Sequence, residues 1–219
     1  DCPDQIDPPT TITLDGSASF DPNGYTPLSY AWSLAEQPEG STAELTSTTS
    51  EYSSLFIDLS GSWQIDLAVE NSVGVPSVPY RCEFEAIPSE IINVELTWNT
   101  GGSDLDLHLI QEGYEMNEKP GDCCWCNPNP SWGESGSGDD PTLALDNRLG
   151  FGPENIELEA PADASSRFTY YFDEKAYAWN LLAPKPVNRR LTAVWDDALE
   201  RRLQSRGGAG GEGGGSTCY

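Results

Sequence analysis

An all-β chain of two tandem sandwiches is what this sequence predicts, and three observations predict it. Short apolar runs alternate with small or polar residues at a period of two, turn signals separate them at short intervals, and no helical periodicity precedes residue 190. The runs are Tyr30, Trp32 and Leu34, then Trp63, Ile65, Leu67 and Val69, then Val94, Leu96 and Trp98, then Leu105, Leu107 and Leu109. Between them stand Asp21-Pro22-Asn23-Gly24, Pro38-Glu39-Gly40, Ser60-Gly61 and Gly101-Gly102. Strands of that length belong to antiparallel sheets with one dry face and one wet face.

Charge narrows the partners. Thirty-six Asp and Glu against 11 Lys and Arg leave a formal charge of −25 over 219 residues. Phosphate contacts need clustered cations, so neither a nucleic-acid backbone nor an anionic membrane surface is an expected partner. No apolar run approaches the roughly 20 residues of a membrane helix, so no membrane insertion is expected. Apolar residues are 37% of the chain, yet seven Trp, nine Tyr and six Phe are too many for a disordered acidic polymer. The chain opens Asp1-Cys2-Pro3 without a cationic leader, which is expected of a mature product or excised fragment whose export signal is gone.

The charge also divides the chain. Residues 1–80 hold no Lys or Arg, whereas six of the 11 basic residues lie in 180–219. Ala86-Ile87-Pro88-Ser89 separates two sets of alternating runs, giving expected domains at 1–86 and 90–180 and a tail at 181–219. In the tail, Leu191, Val194, Trp195, Leu199 and Leu203 follow a helical period that Gly207 could end. The expectation is a short helix docked on the acidic body with Trp195 and Leu199 buried, or a disordered end, followed by a Gly-rich linker.

Leu14-Asp15-Gly16-Ser17-Ala18-Ser19-Phe20-Asp21-Pro22-Asn23-Gly24, the later Tyr30-Ala31-Trp32, and Gly61 to Val69 together resemble the polycystic-kidney-disease (PKD) repeat. The resemblance covers about residues 8–84 and implies an immunoglobulin-like sandwich serving as a spacer or adhesion module on extracellular proteins. Asp15, Asp21 and Asn23 flank a tight turn, where carboxylates accept backbone N–H bonds. The alternative is a calcium site, which needs several converging oxygens; Asn23 and Tyr25 stand where many relatives carry acids. Cys2 and Cys82 lie at the two ends of this domain, where first and last strands can be adjacent. A disulfide between them is expected, and with it an oxidising compartment.

In the second domain, strand periodicity puts Asp104, Asp106 and the only histidine, His108, on one face and Leu105, Leu107 and Leu109 on the other. With Asp122-Cys123, Asn127 to Gly133, Asp139-Asp140-Pro141 and Gly150 to Ile156, this strand resembles a poorly characterised bacterial domain with D-L-D-L-H and G-P-E-N-I motifs, found beside PKD-type repeats in exported proteins. By position, Asp104, Asp106, Asp139, Asp140, Asp146 and Glu154 form a candidate Ca2+ cluster, since an all-oxygen set favours calcium over transition metals. Ala144, Asn147 and Leu149 replace acids of that pattern. The other reading is a solvated acidic face with acids capping turns. His108 reads as a hydrogen-bonded strand residue rather than a zinc ligand.

Cys123-Cys124-Trp125-Cys126 holds a C-x-x-C spacing, but no second pair of soft ligands follows it. Disulfides among Cys123, Cys124, Cys126 and Cys218 are expected, with their pairing open. The chain has no G-x-S-x-G elbow, phosphate loop, dinucleotide fingerprint or H-E-x-x-H helix. The expected function is therefore non-catalytic: a secreted or cell-surface bacterial binding or spacer module contacting an extracellular protein or glycan. Tyr114, Trp125 and Trp132 are its candidate contact aromatics, the other reading being that they cover the core. The competing class is a secreted hydrolase, or an ancillary domain of one, working through paired carboxylates.

Overall fold

The computed structural model describes residues 2–99, 101, 104–133, 138–148 and 151–160, with the backbone of 168–175 and 189–195. The chain is all-β and divides into two compact units, Asp1–Pro88 and Ser89–Tyr219.

The first unit contains β1 (Gln5–Ile6), β2 (Thr10–Asp15), β3 (Ser29–Glu36), β4 (Tyr52–Ile57), β5 (Gly61–Glu70) and β6 (Tyr80–Ala86). One sheet runs β1-β6-β5-β3, with β1 parallel to β6 and the other pairs antiparallel; β2 pairs with β4 in a second sheet. Period-two alternation delivers Trp32 from β3, Leu55 and Ile57 from β4, Trp63, Ile65 and Leu67 from β5, and Phe84 from β6 to one core. Trp63 is completely buried and stacks on Phe84, ring centroids 6.4 Å apart. The Trp32 indole N–H donates to Ser50 O at 2.8 Å, so this large ring enters the core with its polar atom satisfied. The disulfide Cys2–Cys82 joins the N-terminal segment to β6 across a sequence separation of 80.

The second unit contains β7 (Ile92–Trp98), β8 (Asp104–Gln111), β9 (Asp122–Cys123), β10 (Thr142–Leu145), β11 (Glu154–Leu158), β12 (Phe168–Lys175) and β13 (Arg189–Trp195). Its sheets run β10-β11-β7-β13 and β12-β8-β9, and all their strand pairs are antiparallel. Ile92, Val94, Leu96 and Trp98 of β7 and Ile156 and Leu158 of β11 share a core with Leu105, Leu107 and Leu109 of β8. Gly152 admits the Trp98 ring: a Cβ there would lie 2.4 Å from that ring, so no larger residue fits without displacing it.

Two expectations change. The helix expected from Leu191 is a strand through Trp195: β13 pairs with β7 from Arg189↔Trp98 to Trp195↔Ile92. Leu191-Thr192-Ala193-Val194-Trp195 is rich in β-branched and aromatic residues, and β7 offers a free edge of N–H and C=O groups to pair. Tertiary pairing overrides the weak helical period. The expected burial of Leu199 and the linker beyond Gly207 lie outside the described residues. The acidic face of β8 is also not solvated, for Asp104, Asp106 and His108 are 3%, 1% and 0% exposed.

Candidate metal centre

β9 is only two residues long and pairs with β8 only at Leu109 and Ile110. The N–H of Leu107 lies beyond that pairing and donates instead to Glu154 Oε2 at 2.6 Å. Glu154 has the parity of Ile156 and Leu158 on β11, so the same alternation that builds the core aims its carboxylate inward. It is 1% exposed, and its Oε1 has no hydrogen-bond partner among the described residues.

Burial pushes the Glu154 carboxyl up to about 9; the Leu107 N–H opposes the shift, while the charges of Asp106, Asp146 and Asp104 reinforce it. Those four acids are thus electrostatic neighbours. Asp146 accepts from Arg148 Nη2 at 2.9 Å, and Arg148 is a cation near the group, its guanidinium pushed up first by the Asp146 bond and then by charge from Asp146, Asp104 and Asp106. Arg148 itself is well exposed, so much of its charge is spent on solvent.

The other two proposed ligands, Asp139 and Asp140, lie between β9 and β10. Asp140 Oδ1 accepts the Trp132 backbone N–H at 2.6 Å, the work of a turn cap, and Asp139 is buried. No three of the six acids place a donor atom each within 4.8 Å of one another. Among the described residues, the grouping of three or more His, Cys, Asp or Glu donors within 4.8 Å of one another is His108, Asp122 and Cys124.

In the first unit, Asp15 Oδ1 accepts from Ser17 N at 2.8 Å, and Asp21 Oδ1 accepts from Asn23 N at 2.7 Å and Tyr25 N at 3.3 Å. The Asn71 side-chain amide donates to Asp21 Oδ2 at 2.7 Å. These bonds hold both carboxyls below the ordinary range, Asp15 chiefly through Ser17 and Asp21 chiefly through Asn71. Asp15 and Asp21 are therefore turn-stabilising groups, and Asn23 contributes its backbone N–H.

The thiols and aromatics also move from where the sequence put them. Cys123 and Cys124 are free buried thiols, not disulfide partners; Cys126 is disulfide-bonded, and Cys218 lies outside the described residues. Cys123 packs in the core, where burial pushes its thiol well up. Trp132 is a core residue rather than a contact aromatic, its indole donating to Pro120 O at 2.9 Å. Trp125 is half-buried, and Tyr114 is at the surface with its ring over Gly121.

One surface feature escaped the sequence reading. An apolar groove of about 530 Å³ in the first unit is lined by Phe20, Tyr25, Leu28, Val73, Val78 and Tyr80, among others. Phe20 is 80% and Val78 89% exposed. Its signal was present in Val73-Gly74-Val75-Pro76-Ser77-Val78-Pro79-Tyr80, an apolar run that its prolines keep out of a sheet interior.

No protein-family model and no curated protein matches the chain. Among solved structures, the solution structure of the PKD domain from KIAA 1837 protein is similar at 21% identity and a TM-score of 0.33, over 38% of this chain and 78% of that one.

Proposed function

We propose that this chain is a non-catalytic module of an exported, cell-surface or secreted protein. In this reading its two sandwich domains act as a spacer, contacting an extracellular protein or glycan, and Ca2+ stabilises the second of them. The observation that carries the reading is where the acids lie. Asp104, Asp106 and Glu154 are no more than 3% exposed, inside the fold rather than along an open cleft. A carboxylate pair cleaving a substrate must reach it, and these groups face the protein interior. The half-satisfied Glu154 carboxylate, with Asp106, Asp146 and Asp104 as charged neighbours, is where an oxygen-seeking ion would contribute most. The apolar groove beside Phe20 and Val78 supports the contact role, since exposed apolar patches on small domains mark interaction sites. The Cys2–Cys82 bridge supports an oxidising location.

The test is calorimetric titration of calcium with melting curves. At 100 times the dissociation constant, calcium should stabilise the second domain by about 2.7 kcal/mol, roughly 10–20 °C in Tm. Asp104→Asn with Asp106→Asn should abolish the shift. An unchanged Tm with calcium in the unsubstituted chain would remove the metal from the reading.

A further inference from the structure

The buried face of β8 ends in a second polar cluster of different chemistry. His108 Nδ1 lies 2.8 Å from Asp122 Oδ2, and both side chains are at most 1% exposed. Asp122 is the first residue of β9, placed opposite Ile110 by the register that also sets Cys123 against Leu109. The chain then turns, with Cys124 N donating to Asn127 O at 3.3 Å and Asn127 N donating to Cys124 O at 2.8 Å. That turn brings the completely buried Cys124 back beside the histidine, so one nitrogen, one oxygen and one sulfur donor lie within 4.8 Å of one another.

We infer that His108, Asp122 and Cys124 form a zinc site. A tetrahedral Zn2+ with bonds of about 2.0–2.3 Å holds its donor atoms roughly 3.3–3.8 Å apart, a spacing inside the span these three already occupy. The His108–Asp122 pair would have to open by roughly 0.5 Å, an adjustment within side-chain reach. The donors choose the metal: imidazole and thiolate are poor ligands for calcium and good ones for zinc. A second observation points to a cation here. Asp122 Oδ2 is engaged by His108 and by the Asn117 N–H at 2.5 Å, but Oδ1 is buried with no hydrogen-bond partner among the described residues. A carboxylate half-satisfied in the interior beside a thiol is stabilised by an ion that replaces the thiol proton.

The neighbouring thiols discriminate. Cys123 points its Sγ at Pro128 O, 3.6 Å away, and packs in the apolar core. Cys124 Sγ faces the histidine cluster, with Cys126 Sγ 3.1 Å away. The three side chains fill three of the four tetrahedral positions and leave the fourth to a water molecule; because all three are buried, the ion enters as the domain folds, and zinc binding and folding are coupled.

The experiment refolds the full chain with Co2+, a spectroscopic stand-in, and then displaces it with Zn2+. The expected result is about one equivalent per chain, with thiolate charge-transfer and tetrahedral visible bands that zinc abolishes. Cys124→Ser removes the charge-transfer band, and His108→Gln weakens binding at least tenfold. Cys123→Ser, and Asp104→Asn with Asp106→Asn, leave the bands unchanged; the second pair separates this site from the calcium reading. If Cys124→Ser does not fold, Asp122→Asn serves instead and weakens cobalt binding about 10- to 100-fold. No thiolate band in the unsubstituted chain, or the same band in Cys124→Ser, overturns the assignment.

Discussion

The two sandwiches use the same residue type in opposite ways. In the first, Asp15, Asp21 and Asp66 lie toward solvent and take N–H or guanidinium donors, Asp66 from Arg81 at 2.7 and 2.8 Å. Each is held below the ordinary carboxylate range, Asp66 chiefly by its Arg81 bond. In the second, Asp104, Asp106, Asp122 and Glu154 are buried, and Glu154 is pushed up. Acids that accept hydrogen bonds in water steady turns with little desolvation cost. A buried acid needs its oxygens satisfied: Asp58 of the first domain takes donors from Ser41 and Thr42, whereas Glu154 keeps one oxygen without a partner among the described residues and favours a proton or a metal. The strongly negative composition therefore has two physical meanings, and only position tells them apart.

The comparison can be broken from either side. Replacing Cys2 and Cys82 by Ser should cost the first domain about 4 kcal/mol, the chain-entropy value for a loop of this length, and leave the second domain's melting transition in place. Calorimetry resolving two transitions checks this; a joint fall would mean that the domains unfold as one. On the other side, Gly152→Ala drives a methyl group into the Trp98 ring and should destabilise the second domain by about 1–3 kcal/mol while sparing the first. Smallest of all, Phe20→Ser with Val78→Ser should change stability by less than about 0.5 kcal/mol, because both side chains are largely exposed. The same pair should lower the fluorescence of an anilinonaphthalene sulfonate probe bound in the groove. A large loss of stability would show that these residues hold the domain together instead.

Much of the fold was legible because alternation is a local signal. Leu105, Leu107 and Leu109 are core residues, and Asp104, Asp106 and His108 share the opposite face, as period two requires. What covers that face was not legible. Burial of Asp104 and His108 depends on β11 and the loop after β8, tens of residues away, and no local pattern reports that packing. Nor did His108 reveal its partner, since Asp122 lies 14 residues on and is recruited by a two-residue strand. The tail misled for a related reason: Leu191, Val194 and Trp195 fit a helix by spacing, but the unpaired edge of β7 decides in favour of a strand. For Trp132 the loop position left contact and core cover both open, and its N–H groups, bonded to Asp140 and Pro120, seat it in the core.

The account rests on buried carboxylates of the second sandwich being structural groups that want a cation, and the pH dependence of that domain's melting tests it most directly. Glu154 titrates near 4.5 when unfolded and near 9 when folded, so between those values the folded state holds the extra proton. Stability present below pH 4.5 is then progressively lost as pH rises toward 9. In chelator, Tm of the second domain should fall across that window; calcium should flatten the fall by replacing the proton, and Glu154→Gln should remove it. A profile that is the same with and without calcium, and unchanged by Glu154→Gln, would contradict the account.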